Sequence, residues 1–111
     1  MYNVDIDKNG NKFYYVNNKL HREDGPAIEY TNGDKEWYIN GKRHREDGPA
    51  IEFYDGEKLW YKNGLIHRED GPATEYTDGY KEWYLNNICY GYNKKFSIDS
   101  WKKFVKTVIF S

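Results

Sequence analysis

The heptad His-Arg-Glu-Asp-Gly-Pro-Ala occurs three times in this chain, at residues 21–27, 44–50 and 67–73. Successive copies begin 23 residues apart, and the residues after each heptad recur as well, so that 13 of the 23 positions are identical in all three copies. A fixed period of this length is typical of a repeat array, in which one supersecondary unit stacks on the next. The chain is therefore predicted to form an array.

Each unit contains the sequence signals of a β-hairpin. In the first copy, residues 27–30 and 35–39 are β-prone runs on either side of the Asn32-Gly33 pair. Asn-Gly or Asp-Gly between such runs is a strong hairpin signal, and the proline of the next heptad suits the entrance of a strand. The predicted fold is all-β: an antiparallel β-hairpin repeat meander of 23-residue units. Two aromatic columns are expected to run through it: Tyr14-Trp37-Trp60-Trp83 and Tyr15-Tyr38-Tyr61-Tyr84.

The array is predicted to occupy residues 1–91, with a degenerate first unit at 1–20 and further units at 21–43, 44–66 and 67–91. Residues 1–7 are expected to supply an edge strand. Residues 92–111 are predicted to form a C-terminal amphipathic helix, with Ser97 as its N-cap and Phe96 packed against Trp101. Such a helix caps the open end of a sheet, while docking to a partner or to a membrane surface is the alternative.

Composition limits the classes of function. The net charge is −1, which argues against a general binder of nucleic-acid phosphates. The single cysteine, Cys89, cannot form an internal disulfide and favours a reducing compartment, so a cytoplasmic protein is expected. The chain has no apolar run of about 18 residues and no signal peptide, so it is predicted not to enter a membrane.

No pattern of catalytic residues stands out, and the chain is predicted not to be an enzyme. His21, His44 and His67 lie two strands apart in the predicted sheet, about 10 Å from one another, and this is too far for a shared metal ion. No cofactor is expected. The paired carboxylates of the heptads occur in three identical environments, whereas acid–base catalysis needs carboxylates in different environments.

The candidate binding residues form a strip of arginines and tyrosines at equivalent positions. Arginine and histidine beside a column of aromatic rings can hold a base, a sugar phosphate or an acidic protein surface. The alternative is structural, with the heptad side chains tying each turn to the next by hydrogen bonds and ion pairs. The predicted binding residues are Arg22, Tyr38, Arg45, Tyr61, Arg68 and Tyr84.

Residues 37–44, then Gly48, then the Asp55-Gly56 pair resemble the MORN repeat over roughly residues 7–91. The closer likeness is to the variant MORN-like group that includes YwqK-type antitoxin-like proteins. Arrays of this heptad are similar to those of phages and giant viruses. The chain departs from the family at residues 45–49, where Arg-Glu-Asp-Gly-Pro replaces the usual His-Gly-x-Gly. The resemblance implies a curved antiparallel sheet that contacts proteins or lipids and has no catalytic activity.

The resulting expectation is a non-enzymatic protein-binding repeat module of phage or viral origin. It would act in the host cytoplasm and bind or inhibit a host protein, either as a defence-system inhibitor such as an anti-CRISPR or as an antitoxin-like protein. The second hypothesis is a small-ligand binder that sequesters a nucleotide-like molecule through the aromatic and His-Arg strip.

Overall fold

A computed structural model describes residues 2–110 of the chain. In these residues the secondary structure is short β-strands, one 3-10 turn at Asn93–Lys95 and one α-helix, α1, at Ile98–Ile109. The strands are β1 Asn3–Ile6, β2 Lys12–Val16, β3 Lys19–Leu20, β4 Ile28–Glu29, β5 Lys35–Glu36, β6 Tyr38–Ile39, β7 Lys42–Arg43, β8 Ile51–Glu52, β9 Lys58–Leu59, β10 Tyr61–Lys62, β11 Leu65–Ile66, β12 Thr74–Glu75, β13 Lys81–Leu85 and β14 Ile88–Tyr92.

Most of the strands belong to one large sheet. Its order is β1-β2-β4-β5-β8-β9-β12-β13-β14, with β3 paired to β2 as well, and its pairs are antiparallel. Two separate hairpins, β6–β7 and β10–β11, lie outside this sheet. The described chain is therefore an antiparallel β-hairpin sheet with one C-terminal helix, which confirms the predicted fold class at this level. The expected edge strand is also present, as β1.

The expected meander differs in one respect, because the strand predicted over residues 35–39 is divided at Trp37. Its first part, β5, belongs to the large sheet, and its second part, β6, belongs to a separate hairpin. The Trp37 N–H donates to the Ala50 carbonyl at 2.7 Å, and the Trp37 carbonyl accepts from the His44 N–H at 3.1 Å. Both partners belong to the next heptad, which is a loop. By contrast, β13 continues through Trp83 because a full strand, β14, pairs along it.

The two faces of the large sheet have different side chains. On the first face, lysine and glutamate alternate from strand to strand, and such opposite charges across a ladder are stabilising. This row contains Lys12, Glu29, Lys35, Glu52, Lys58, Glu75 and Lys81. The second face carries the buried side chains Ile28, Ile51 and Thr74, with Glu36, Leu59 and Glu82 in the same row. The second face is therefore the better buried one.

A buried apolar cluster lies at the C-terminal end of the sheet. Its buried members are Trp83, Leu85, Trp101 and Val105. The Ser97 hydroxyl accepts from the Ser100 N–H at 3.1 Å in a capping box, which confirms the predicted N-cap. The rings of Phe96 and Trp101 lie 4.8 Å apart, as expected from the sequence. The helix therefore covers the end of the sheet, in agreement with the capping hypothesis.

Candidate functional site

Each heptad arginine lies over an aromatic ring of the preceding copy. The guanidinium carbon of Arg45 is 3.8 Å from the centroid of the Trp37 ring, and that of Arg68 is 3.9 Å from the Trp60 centroid. Arg22 lies in the same way over Tyr14, at 4.0 Å. Three rings of the expected aromatic column, those of Tyr14, Trp37 and Trp60, are thus covered by cations of the next copy. This contact joins each copy to the one before it, because a cation over a ring face is attracted to it.

Hydrogen bonds fix the same guanidinium groups. Arg45 Nε donates to Asp47 Oδ1 at 3.2 Å, while Nη1 donates to the Pro49 carbonyl at 3.1 Å and to Glu52 Oε1 at 3.0 Å. Arg68 makes the equivalent three bonds at 2.9, 3.0 and 3.1 Å. A Cβ atom at Gly48 would lie 2.9 Å from the Arg45 guanidinium carbon, so a larger residue there requires this guanidinium group to shift.

The heptad histidines hold the turns at Asn40, Asn63 and Asn86. His44 Nδ1 accepts from the Asn63 N–H at 2.9 Å, and Nε2 is 2.8 Å from Glu46 Oε1. Because Nδ1 is an acceptor, the ring proton lies on Nε2 and is donated to the glutamate. His21 and His67 accept in the same way from the N–H groups of the equivalent asparagines, at 2.9 and 3.0 Å. The histidines therefore tie each heptad loop to the turn at the end of the same copy, whereas the arginine–ring contacts join successive copies.

The predicted tyrosine side chains lie apart from the arginine side chains, although the backbone carbonyls of Tyr38, Tyr61 and Tyr84 accept from the heptad arginine N–H groups at 3.1, 3.3 and 3.2 Å. The Tyr38 hydroxyl donates to Glu36 at 3.0 Å, and the Tyr30 hydroxyl donates to the other oxygen of Glu36 at 3.0 Å. Burial, followed by the hydrogen bond to Glu36, raises the pKa of Tyr30 to about 12. The guanidinium carbon of Arg43 lies 5.5 Å from the centroid of the Tyr61 ring. Burial, followed by the charge of Glu82, raises the pKa of Tyr84 to about 12.

The six residues predicted as one strip are therefore two groups. The arginines Arg22, Arg45 and Arg68 are only about one-fifth exposed, at 21%, 22% and 20% of their side-chain surface, and they bond to their own loops. The tyrosines Tyr38, Tyr61 and Tyr84 are half-buried. Tyr38 bonds to Glu36, the charge of Glu82 acts on Tyr84, and Tyr61 lies under Arg43. Sequence alternation already placed Tyr38 and Trp37 on opposite faces.

The side chains that project from the heptad loops are carboxylates. Between 52% and 88% of their side-chain surface is exposed, in contrast to the arginines beside them. They are Glu23, Asp24, Glu46, Asp47, Glu69 and Asp70. Sequence reasoning did not propose them as binding residues. The signal was available, because each heptad carries one arginine and two carboxylates, which gives each loop a net charge of −1.

Two open cavities lie between successive heptad loops. The first slot, of about 660 Å³, separates residues 22–25 from residues 44–47, and Trp37 and Ile39 also line it. The second slot, of about 450 Å³, separates residues 45–49 from residues 67–70, and Trp60 and Lys62 also line it. Because Ile39 and Lys62 are 23 residues apart, they occupy equivalent positions in two copies.

The two slots differ in charge at the position of Ile39 and Lys62. In the second slot the Lys62 ammonium lies 3.2 Å from Glu46 Oε2. The hydrogen bond from His44 and then that from Lys62 lower the pKa of Glu46. In the first slot an isoleucine takes the place of this lysine, and the equivalent carboxylate, Glu23, lies 3.6 Å from His21. The second slot therefore contains an ammonium group of the chain itself.

Comparison of the chain with family models, curated proteins and solved structures finds no match. The likeness to the MORN repeat therefore depends on the residues alone and stays a hypothesis. Among residues 2–110, no helix is long and apolar enough to cross a membrane. Within residues 2–110, no three His, Cys, Asp or Glu side chains are grouped so that they could hold a metal ion.

Proposed function

We propose that this chain is a non-enzymatic protein-binding module, and that its binding surface is the row of heptad loops. The observation that carries the proposal is that different residues of each heptad fix the loop and face the solvent. Histidine, arginine and glycine are used to fix the loop, whereas the carboxylates and the slots beside them are exposed. A loop that is rigid before binding loses little entropy when a partner is bound.

The proposed surface is extended. On this proposal the 23-residue interval is the unit of the array, and each copy adds two strands to the large sheet: β4 and β5, then β8 and β9, then β12 and β13. Since neighbouring strands are about 4.8 Å apart, the loops would recur roughly every 10 Å. A row of three loops at this spacing suits a protein segment better than a single small ligand, as in other repeat arrays.

The charges favour a protein partner over a nucleotide-like ligand. A phosphate needs cationic donors that are free, but Arg45 already donates to Asp47, Pro49 and Glu52. The exposed groups around it are carboxylates, which repel phosphate. Sequestration of a nucleotide is therefore the less favoured function. Viral origin, inhibition of a host defence protein and a cytoplasmic location stay predictions that come from the resemblance and the cysteine content.

The proposal is tested by affinity capture with matched variants. The rim variant carries Glu23→Gln, Asp24→Asn, Glu46→Gln and Asp47→Asn, which remove four charges but keep acceptor oxygens of the same shape. The control carries Lys102→Gln and Lys103→Gln, on the exposed side of α1. We expect a partner that the wild-type chain and the control retain and the rim variant loses. Retention of the same proteins by all three chains would contradict the proposed surface.

A nucleotide screen by thermal shift gives the complementary result. A ligand at one hundred times its dissociation constant stabilises a protein by about 2.7 kcal/mol. For a domain of this size, the melting temperature would rise by roughly 10 °C. We expect no such rise with nucleotides. A clear rise, with no protein partner recovered, would favour sequestration instead.

A further inference from the structure

The second slot contains a cation of the chain itself, in contact with a heptad carboxylate. The Lys62 side chain starts in β10, lines the slot beside Trp60 and ends 3.2 Å from Glu46 Oε2. Its methylene groups can pack along apolar surface while the ammonium group meets the acidic rim, which is the usual behaviour of lysine at such a boundary. This slot therefore shows how a lysine side chain fits between two heptad loops.

The first slot lies between equivalent heptad residues, but Ile39 takes the place of the lysine. Trp37 and Ile39 form its apolar part, and Glu23, Asp24 and Glu46 are on its rim. Glu23 and Asp24 are 77% and 75% exposed at the side chain. Each of the arginines that line this slot bonds to an aspartate of its own heptad and so offsets one of its two carboxylates, which leaves each heptad with a net charge of −1.

We infer that the first slot is a receptor for a lysine or arginine side chain from a basic segment of the protein partner. The entering side chain would have its stem on Trp37 and Ile39 and its charge at Glu23, as Lys62 does at Glu46 in the next copy. This inference rests on the proposed function, since it names the partner of the same row of loops. Charge complementarity identifies the occupant as cationic, and the apolar floor identifies it as a long side chain.

The spacing of the loops specifies the form of the basic segment. Slots that recur roughly every 10 Å match a polyproline II segment, in which every third residue is on the same side and about 9.3 Å further along. A segment with lysine at every third residue would therefore present one cation to each slot. In the wild-type chain only the first slot is open to it, because Lys62 already occupies the second.

The chain offers matched variants for this inference. Ile39→Lys gives the first slot the residue of the second, and Lys62→Ile gives the second slot the residue of the first. Both substitutions place a residue where the neighbouring copy already has it, so the fold is expected to tolerate them. Glu23→Gln is a further variant, which removes the charge of Glu23 from the first slot without changing the shape of the slot. Melting temperatures of the three variants show whether each of them is folded.

The probe is a proline-rich peptide with lysine at every third residue, and its control has glutamate at the same positions. Binding is followed through the indole N–H signals of the tryptophans in a two-dimensional NMR spectrum, which also reports weak binding. We expect the lysine peptide to shift the Trp37 signal and to leave Trp83 and Trp101 unchanged. Ile39→Lys and Glu23→Gln should weaken binding at least tenfold. Lys62→Ile should strengthen binding and add a shift at Trp60.

An Ile39→Lys variant that is folded and binds the lysine peptide as tightly as the wild-type chain would overturn the inference. Equal binding of the glutamate peptide, or no Trp37 shift at millimolar lysine peptide, would also overturn it. These results are distinguishable from failure of the proposed function. A partner that depends on the rim carboxylates but is indifferent to Ile39→Lys would keep the binding surface and reject the slot. A specific response to the lysine peptide without any captured protein would support the slot and would contradict the proposed protein-binding function.

Discussion

Trp60 and Trp83 occupy equivalent positions, but they are covered in different ways. Trp60, in the middle of the array, is half-buried under the Arg68 guanidinium, which lies 3.9 Å from its ring centroid. Trp83, at the end, is 3% exposed and packs against Trp101 and Phe96 at 5.4 and 5.6 Å. The tryptophan at this position of the sequence repeat is therefore covered by a guanidinium group at residue 60 and by other aromatic rings at residue 83.

The difference shows what a repeat needs from its neighbour. If the interval continued, the residue over Trp83 would be residue 91, which is a glycine. No arginine is available there, and α1 supplies Trp101 instead. The Trp101 indole N–H donates to the Arg68 carbonyl at 3.1 Å, so the helix is also attached to the last heptad.

The largest effect is expected at the end of the array. Trp101→Ala would leave a cavity against Trp83 and would remove the hydrogen bond to the Arg68 carbonyl. Because Trp101 is fully buried, the free energy of unfolding should fall by about 3–5 kcal/mol. Chemical denaturation measures this change. Lys102→Ala, next to it on the exposed side of α1, should change stability by less than about 0.5 kcal/mol.

If Trp101→Ala unfolds no more easily than Lys102→Ala, the helix does not close the array. In that case, the aromatic cover over Trp83 would not be what stabilises this end of the sheet.

A smaller effect is expected where the guanidinium group is confined inside the array. Gly48→Ala would place a methyl group 2.9 Å from the Arg45 guanidinium carbon and would displace it from Trp37. Overpacking of this kind costs about 1–3 kcal/mol. In an Arg45→Ala background the same substitution has nothing to displace, so most of this cost should disappear. A cost that is equal in both backgrounds would mean that the glycine is needed for another reason.

The smallest effect concerns the second face and alkaline pH. Tyr30 has its pKa raised from 10 to about 12, and the central copy has Phe53 at the equivalent position. A folded-state pKa above the unfolded value means that the folded chain holds the proton more tightly. The stability from this group is therefore present below pH 10 and is lost as the pH rises toward 12. Denaturation midpoints between pH 9 and 11 should fall less for Tyr30→Phe than for the wild-type chain.

Much of the architecture could be predicted because hairpin and capping signals are local. The Asn-Gly and Asp-Gly turns, the edge strand and the Ser97 N-cap each depend on a few neighbouring residues. The division of the strand at Trp37 could not be predicted, because it depends on hydrogen bonds to Ala50 and His44 in the following loop. Periodicity alone does not show whether the next segment is a strand or a loop.

The candidate site was predicted less well for a physical reason. An arginine next to an aromatic column can bind a ligand or can hold its own loop, and sequence does not show which acceptors it reaches. In the structure, Asp47, Pro49 and Glu52 all accept from Arg45. The difference between Ile39 and Lys62 is visible in the sequence, but its meaning depends on the contact of Lys62 with Glu46.

The central claim is that the heptad arginines join successive copies through the ring of the preceding copy. A double-mutant cycle with Trp60→Leu and Arg68→Met measures this contact directly, because it isolates the coupling between the two side chains. Trp37 and Arg68 belong to pairs in different copies and form the control cycle. We predict a coupling of about 0.5–2 kcal/mol for Trp60 with Arg68. Additive effects in both cycles, within about 0.3 kcal/mol, would contradict the account.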